Sequence, residues 1–293
     1  MNIDNYKKAG NIAAEARSYA KKLVKANESV LEATEKIELK IIELGGKPAF
    51  PVDMSINNIA AHYSSIHKDT LMFKDNDIVK VDIGVHINGA IADTAISIDL
   101  GDNKLLIEAA ETALDNALKI IRPGVKLFEI GKAIQETIQD YDFSPIRNLS
   151  GHGLELYKVH ANPSIPNVNN KDQTALKADI VIAIEPFATQ GSGLVMEGKP
   201  SEIYELIERK PTRNNNSRKI LDYVEKEYKT LPFNKRWLLK KFNGIETSLG
   251  LSLLEKDGIL HQYSILPEKS NGIVSQAEHT VIVREKPIIT TKI

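Results

Sequence analysis

The sequence predicts an α+β fold with a largely antiparallel sheet, and three observations carry that prediction. Helical and extended patterns alternate, and the extended segments come in pairs, which favours hairpins over parallel crossovers. The stretch 78–99, IVKVDIGVHINGAIADTAISID, is two alternating segments around Asn88-Gly89. A two-residue Asn-Gly loop is the strongest short-range hairpin signal, because both residues tolerate positive φ. Two β-branched runs that each carry a glutamate, IVIAIEP at 180–186 and QAEHTVIV at 276–283, lie far apart in the chain and read as strands of one core.

In chain order, residues 4–25 place Tyr6, Ala9, Ile12, Ala13, Ala16, Tyr19, Ala20 and Leu23 at helical spacing with lysines between them. Ser29-Val30-Leu31-Glu32 has the capping-box pattern, and the helix it opens ends at Gly45-Gly46. Pro48 and Pro51 then break the helix, 52–56 forms a short strand, and His62 follows an apolar segment. On sequence alone that histidine reads as a surface residue of a loop in preference to a ligand.

The hairpin comes next. If Ile87 pairs with Ala90, Gly84 lies opposite Asp93 and Asp82 opposite Ala95, so the two aspartates are diagonal neighbours on one face, roughly 7–8 Å apart at Cα. The other face, with Val81, Ile83, Val85, Ala92, Thr94, Ile96 and Ile98, suits a packed core. Two readings of the aspartates stay open on the hairpin alone: a pair facing solvent, or a pair converging on shared cations.

Two amphipathic helices, 103–121 and 127–141, flank Arg122-Pro123-Gly124. Ser150-Gly151-His152-Gly153 holds a histidine between glycines, where backbone can approach a ligand closely. His160 follows at a spacing that fits no single-helix metal motif. Glu185 ends one apolar run and Glu278 leads into the other, and a glutamate in such a place needs a partner. Between them, 198–266 differs in composition and contains three short amphipathic helices, at 217–229, 234–242 and 248–256. The predicted organisation is a catalytic domain over 1–197 and 267–293 with an inserted helical subdomain over 198–266.

Bulk properties narrow the chemistry. The 293 residues are 42% hydrophobic, enough for a sizeable core. A net charge of −1 points to no polyanionic partner for the chain as a whole. Cysteine is absent, which excludes disulfides, thiolate metal sites and cysteine nucleophiles. No apolar run has the length of a membrane span or a signal peptide, so the expectation is a soluble, cytoplasmic protein that makes no membrane contact.

Four carboxylates (Asp82, Asp93, Glu185, Glu278) and His152, all at strand ends or glycine turns, make a ligand set for two divalent cations. Clustered anions repel one another and need about four positive charges, which two such ions supply. Two adjacent metals generate a hydroxide near neutral pH and polarise a carbonyl, so the expected reaction is hydrolysis of an amide or ester.

The set Asp82 in VDIG, Asp93 in IADT, His152 in SGHG, Glu185 in IEPF and Glu278 in AEHT resembles that of the methionine aminopeptidases. The segment AFPVDMSINNIAAHY and the insertion before Glu278 resemble their type II branch, in its short archaeal-like form. The resemblance spans essentially the whole chain. It implies the pita-bread α/β fold, an antiparallel sheet in two pseudo-symmetric halves with flanking helices. Asp82 is then implied to chelate one metal, Asp93 and Glu278 to bridge the two, and His152 and Glu185 to complete the second site. The catalytic residues implied are His62, His160 and Glu185: Glu185 relays the proton of the attacking water, His160 contacts the substrate carbonyl or the tetrahedral oxyanion, and His62 lies at the substrate pocket. Phe50, Phe187 and Tyr263 are the implied pocket walls, whose ring edges suit a methionine thioether. The activity implied is removal of the N-terminal methionine of nascent polypeptides, by attack of a metal-bound hydroxide on the first peptide bond, in a monomer. Carboxylate-rich ligation suits Mn or Fe, and Co or Zn also fit.

Two other functions share these residues: an X-Pro dipeptidase or aminopeptidase of the same fold, and a non-catalytic nucleic-acid- or ribosome-binding module. The first usually carries a substantial N-terminal domain and the second has lost its ligands. One uneven charge bears on partners. Residues 209–241 hold eleven basic residues against three acidic, a net of +8, with Arg218, Lys219, Lys235 and Arg236 among them. Such a face either is a solvated helical surface or rests on ribosomal RNA.

Overall fold

The computed structural model describes residues 1–292. Helix α1 (Ile3–Leu23) starts at Asn2, whose side chain accepts from the Asn5 N–H. Helix α2 (Val30–Glu43) starts at Ser29, which accepts from the Glu32 N–H as the capping pattern predicts. Strands β1 (Lys47–Pro48), β2 (Asp53–Ile56) and β3 (Ile59–Ala61) lead to the hairpin, β4 (Ile78–Ile87) and β5 (Ala90–Asp99). Its register runs from Ile87↔Ala90 to Ile78↔Asp99 and puts Gly84 opposite Asp93 and Asp82 opposite Ala95, as the turn demands. Asn88 and Gly89 both take positive φ. Strands β1 and β2 pair with β4 along its other edge. Val81, Ile83, Val85 and Ala92 form one core with Ala9, Ile12, Ala13 and Ala16 of α1 and with Ile37 and Ile41 of α2. Each large apolar side chain buried there contributes about 1.5–3 kcal/mol.

The second half repeats the arrangement. Helices α3 (Lys104–Ile120) and α4 (Leu127–Asp140) are followed by β6 (Ser144–Pro145), β7 (Ser150–Glu155), β8 (Lys158–Pro166), β9 (Val181–Ile184) and β10 (Phe187–Thr189). After the insertion come β14 (Leu266–Pro267), β15 (Val274–Gln276), β16 (His279–Ile282) and β17 (Ile288–Ile289). One five-stranded antiparallel sheet has the order β17-β16-β9-β7-β8, and a small sheet has the order β15-β10-β6. Ala109, Ala113, Ala117, Ile130, Ile134 and Ile138 of the two helices bury against Ile182, Ile184, Ala188 and Val281. Each half is thus a pair of helices on an antiparallel sheet, the α+β class the sequence predicts.

The chain crosses between the two sheets of the second half twice. It leaves β9 at Glu185-Pro186 and resumes as β10, and it leaves β15 at Ala277-Glu278 and resumes as β16. The pairings on either side of these breaks, His279↔Ile184 and Phe187↔Gln276, share one register, which sets Glu185 opposite Glu278.

The insertion consists of β11 (Pro200–Leu206), α5 (Asn215–Glu227), β12 (Phe233–Asn234), α6 (Lys235–Leu239), α7 (Gly244–Lys256) and β13 (Leu260–Ser264). It is more than helical: β12-β11-β13 is a three-stranded sheet, closed by strands too short and too far apart in sequence to show a pattern. Tyr204, Ile220, Leu221, Val224, Phe233 and Leu251 give it a core of its own. The basic face is also smaller than the residue count suggests. Arg236 is buried, bidentate on Glu38 of α2 at 2.8 and 3.0 Å, and Lys235 pairs with Glu202 at 2.9 Å. Neither is free to meet phosphate. Arg209 is held by Asp222 and Glu225, Lys210 by Glu208, and Lys240 by Glu35. Among the described residues no helix is long and apolar enough to cross a membrane.

Candidate metal centre

The two halves meet along the outer edge of the hairpin. Thr280 Oγ1 accepts from the Asp93 N–H at 2.7 Å, Thr94 Oγ1 donates to the Glu278 carbonyl at 2.8 Å, and the Glu278 N–H donates to the Ala95 carbonyl at 3.2 Å. These bonds place Glu278, from one end of the chain, beside Asp93 from the hairpin. Asp93, His152 and Glu278 are buried, and each offers a ligand atom within 4.8 Å of the others. Asp82 and Glu185 are half-buried in the same cleft. The solvent-facing reading of the hairpin aspartates is therefore excluded.

His152 lies on β7 with its Nε2 3.5 Å from Glu185 and 3.7 Å from Asp93. Its Nδ1 is 3.2 Å from the Gly153 carbonyl, which only accepts, so the ring hydrogen sits on Nδ1 and Nε2 presents a lone pair to the carboxylates. Burial, and then His160, lower this ring to about 3. The flanking glycines have another purpose than the one the sequence suggests. A Cβ on Gly151 would stand 2.3 Å from the Ala183 carbonyl oxygen and one on Gly153 2.1 Å from that of Asn162, so the neighbouring strands, not a ligand, require them.

The carboxyls lack what buried carboxylates ordinarily have. Asp82 Oδ1, Asp93 Oδ1 and Glu278 Oε2 are buried with no hydrogen-bond partner. Burial lifts Asp82 to about 6, although Gln276 Nε2 donates to its Oδ2 at 3.1 Å. Asp93, Glu185 and Glu278 rise well above the usual carboxylate range, by burial first and then by the charge of neighbouring carboxylates, Asp82 acting on all three. Unpartnered anionic oxygens facing an imidazole lone pair fit a divalent cation, because such a cation needs oxygen and neutral nitrogen donors and cancels the repulsion.

Above this cluster opens a cleft of about 220 Å³. Phe50, His62, His160, Phe187 and Tyr263, the five substrate-side residues of the resemblance, all line it with the five candidate ligands. The structure brings the whole set together. Phe50 explains Gly84: a Cβ there would lie 2.2 Å from the phenyl ring. Rings of His62 and Tyr263 meet edge-on at 5.2 Å, and those of His152 and His160 at 4.7 Å.

Sequence reasoning missed Asp53, Ile203, Glu205 and Gln276. Asp53 lies opposite Asp82 across β2 and β4. It accepts from the His62 and Tyr63 N–H groups and from Ser55 Oγ, which holds His62 at φ 66°. It sits within the AFPVDMS segment, but its partner strand was not legible. Ile203 enters the cleft from the insertion, Gln276 ends β15 and donates to Asp82, and Glu205 reaches Tyr263. Only the pairing of distant strands reveals these three.

The profile of metallopeptidase family M24 matches residues 4–285. A methionine aminopeptidase of Pyrococcus abyssi is 47% identical over 293 residues, 99% of each chain. Among solved structures, a thermophilic Arx1 superposes with a TM-score of 0.87 at 15% identity, over 98% of this chain and 90% of that one. The methionine aminopeptidase of Thermotoga maritima superposes with a TM-score of 0.72 at 22% identity, over 99% of this chain and 96% of that one.

Proposed function

This chain belongs to metallopeptidase family M24, and from that premise we propose that it removes the N-terminal methionine of polypeptides by hydrolysing the first peptide bond. The observation that carries the reading is the trio of buried, unpartnered oxygens on Asp82, Asp93 and Glu278 beside the Nε2 lone pair of His152. Asp82, Asp93, His152, Glu185 and Glu278 are the residues that would hold two divalent ions, of Mn, Fe, Co or Zn. Bound there, the ions supply Lewis acidity and lower the pKa of water to near neutrality.

The chain's own residues do the rest. Glu185, which lies in the cleft 3.5 Å from His152 Nε2, takes the proton of the attacking water and passes it toward the leaving amine. His62 Nδ1 is 3.2 Å from the Ser264 carbonyl, so its hydrogen lies there and its Nε2 accepts from a substrate N–H. Burial, and then His160, lower this ring to about 4, which keeps it neutral at working pH. His160 stands over the scissile bond, and Phe50, Phe187 and Tyr263 enclose the methionine side chain. The insertion, proposed as a unit over 198–266, closes the cleft with Ile203, Pro232 and Tyr263.

The substrates would be nascent chains in the cytoplasm. Of the basic residues outside the ion pairs, Arg213, Arg218, Lys219 and Lys226 are exposed on and before α5, where they would meet ribosomal RNA. The decisive assay offers Met-Ala-Ser and Ala-Pro peptides to protein reconstituted with each metal. Release of methionine is expected; preference for Ala-Pro would replace this reading by the X-Pro dipeptidase one. Metal analysis is expected to give two ions per chain, and one would overturn the dinuclear part.

A further inference from the structure

The segments that carry Asp93 and Glu278 belong to different sheets. Asp93 lies on β5, which pairs with β4, whereas Glu278 leads into β16, which pairs with β9 and β17, so no ladder of strand pairing sets their spacing. Arg17 of α1 lies across this joint. Its Nη1 donates to Thr94 Oγ1, next to Asp93, and is 3.2 Å from Nδ1 of His279, next to Glu278. Its Nη2 donates to the Thr291 carbonyl at 3.1 Å. A guanidinium only donates, so His279 Nδ1 is an acceptor. Thr94 Oγ1, accepting from Arg17, passes its own hydrogen to the Glu278 carbonyl at 2.8 Å. A glycine lets the helix come this close: a Cβ on Gly10, two turns before Arg17 on the same face, would collide with the Thr290 carbonyl oxygen.

We infer that Arg17 is a positioning residue of the metal centre: by bonding the residue after Asp93 and the residue after Glu278 at once, it fixes the spacing of the two carboxylates and with it the tightness of cation binding. The inference rests on the proposed reading of these carboxylates as cation ligands. Two effects of the guanidinium oppose each other. Its charge repels an incoming cation, while its fork orders the ligands that receive one. Burial lowers the guanidinium from its ordinary range, and Glu278 is the acid that most favours its charged form. Thr94 and Asp93 alternate along β5, so Arg17 stands on the opposite face of the hairpin from the Asp93 carboxylate. Backbone therefore separates its charge from the cation site, whereas its hydrogen bonds act on the ligand strands directly. Positioning outweighs repulsion.

Arg17→Lys separates the two effects, because it keeps the charge and loses the planar fork. Metal-stripped protein is titrated with Co²⁺ alone, whose d–d absorption reads both affinity and ligand geometry. Arg17→Lys is expected to weaken Co²⁺ binding about 10–100-fold, the cost of losing an outer partner of metal ligands, and to shift the d–d bands. Thr94→Val breaks the same joint from the hairpin side and should weaken binding comparably, whereas Thr94→Ser keeps the hydroxyl and should bind as the wild type does. On the Thr94→Val background Arg17→Lys should cost less than about threefold more, since the two residues act through one contact. Metal-free Arg17→Lys that melts lower but binds Co²⁺ with wild-type affinity would make Arg17 a purely structural residue and overturn the inference. Fully additive losses in the double variant would overturn it as well. A wild type that takes up no Co²⁺, or whose Co²⁺ affinity survives Asp93→Asn, would instead bring down the cation reading on which the inference rests.

Discussion

Glu268 and Glu278 are both 1% exposed, yet they are provided for in opposite ways. Glu268 accepts from Ser192 Oγ, the Ser270 N–H and hydroxyl, and the Gly272 N–H, all within 2.7–2.9 Å. Burial works to raise its carboxyl, but these donors outweigh it and hold it at about 2. Glu278 has an oxygen with no partner and three carboxyls for neighbours, and it is driven up. Glu38 is a third case, buried with the Arg236 guanidinium and the Trp237 Nε1–H already upon it. The lesson is that burial of an acid says little by itself. Donors mark a structural carboxylate, a guanidinium marks a joint, and a deficit of both marks a place prepared for a cation.

The sharpest way to break this contrast is Asp93→Asn. It should reduce turnover by more than about 100-fold, since even outer-shell changes at metal sites cost up to that much, and bound metal should fall with it. With metal stripped from both proteins, the variant should melt higher than the wild type, because one of the repelling charges is gone. A lower melting temperature would mean that the cluster is not frustrated. Arg236→Ala tests the joint: it strands Glu38 and should cost about 3–5 kcal/mol in denaturant unfolding. Little loss there would show that water already shares the pair.

Glu268→Gln should cost about 2 kcal/mol, the scale of a hydrogen bond to a charged group. The sign in pH follows from its depressed carboxyl. The stability it contributes is full above its ordinary value of 4.5 and is lost as pH falls through about 2, so wild type and variant should converge in acid. Unfolding curves from pH 6 to pH 2 check this. The smallest effect concerns the insertion surface. Reversal of Arg218, Lys219 and Lys226 to glutamate should weaken ribosome co-sedimentation at low salt and leave tripeptide hydrolysis in place. Unchanged co-sedimentation, or none in the wild type, would make this face an ordinary solvated one.

What could be read beforehand divides along sequence distance. The hairpin register was legible because Asn88-Gly89 is local chemistry, and it put Asp82 and Asp93 on one face without knowledge of the rest. Glu185 and Glu278 were legible as acids in apolar runs, although not the shared register that opposes them. His152 was legible from its glycine turn, whereas the family resemblance, rather than spacing, joined His62, His160 and the aromatics to the set. Arg236 was misread as surface because its partner Glu38 is 198 positions away. The insertion sheet, Asp53 and Glu205 were illegible for the same reason: their meaning lies in a neighbour that no local pattern names.

The bond between the Asp93 N–H and Thr280 spans 187 positions of chain. A ribosome adding about 5–20 residues per second needs about 10–40 s to cover that stretch. Throughout that interval the aspartates lack Glu278, the third carboxylate strand of the proposed metal centre. Competence therefore arrives with the last strands, and a translation product cut short of them is inert however well its first half has folded.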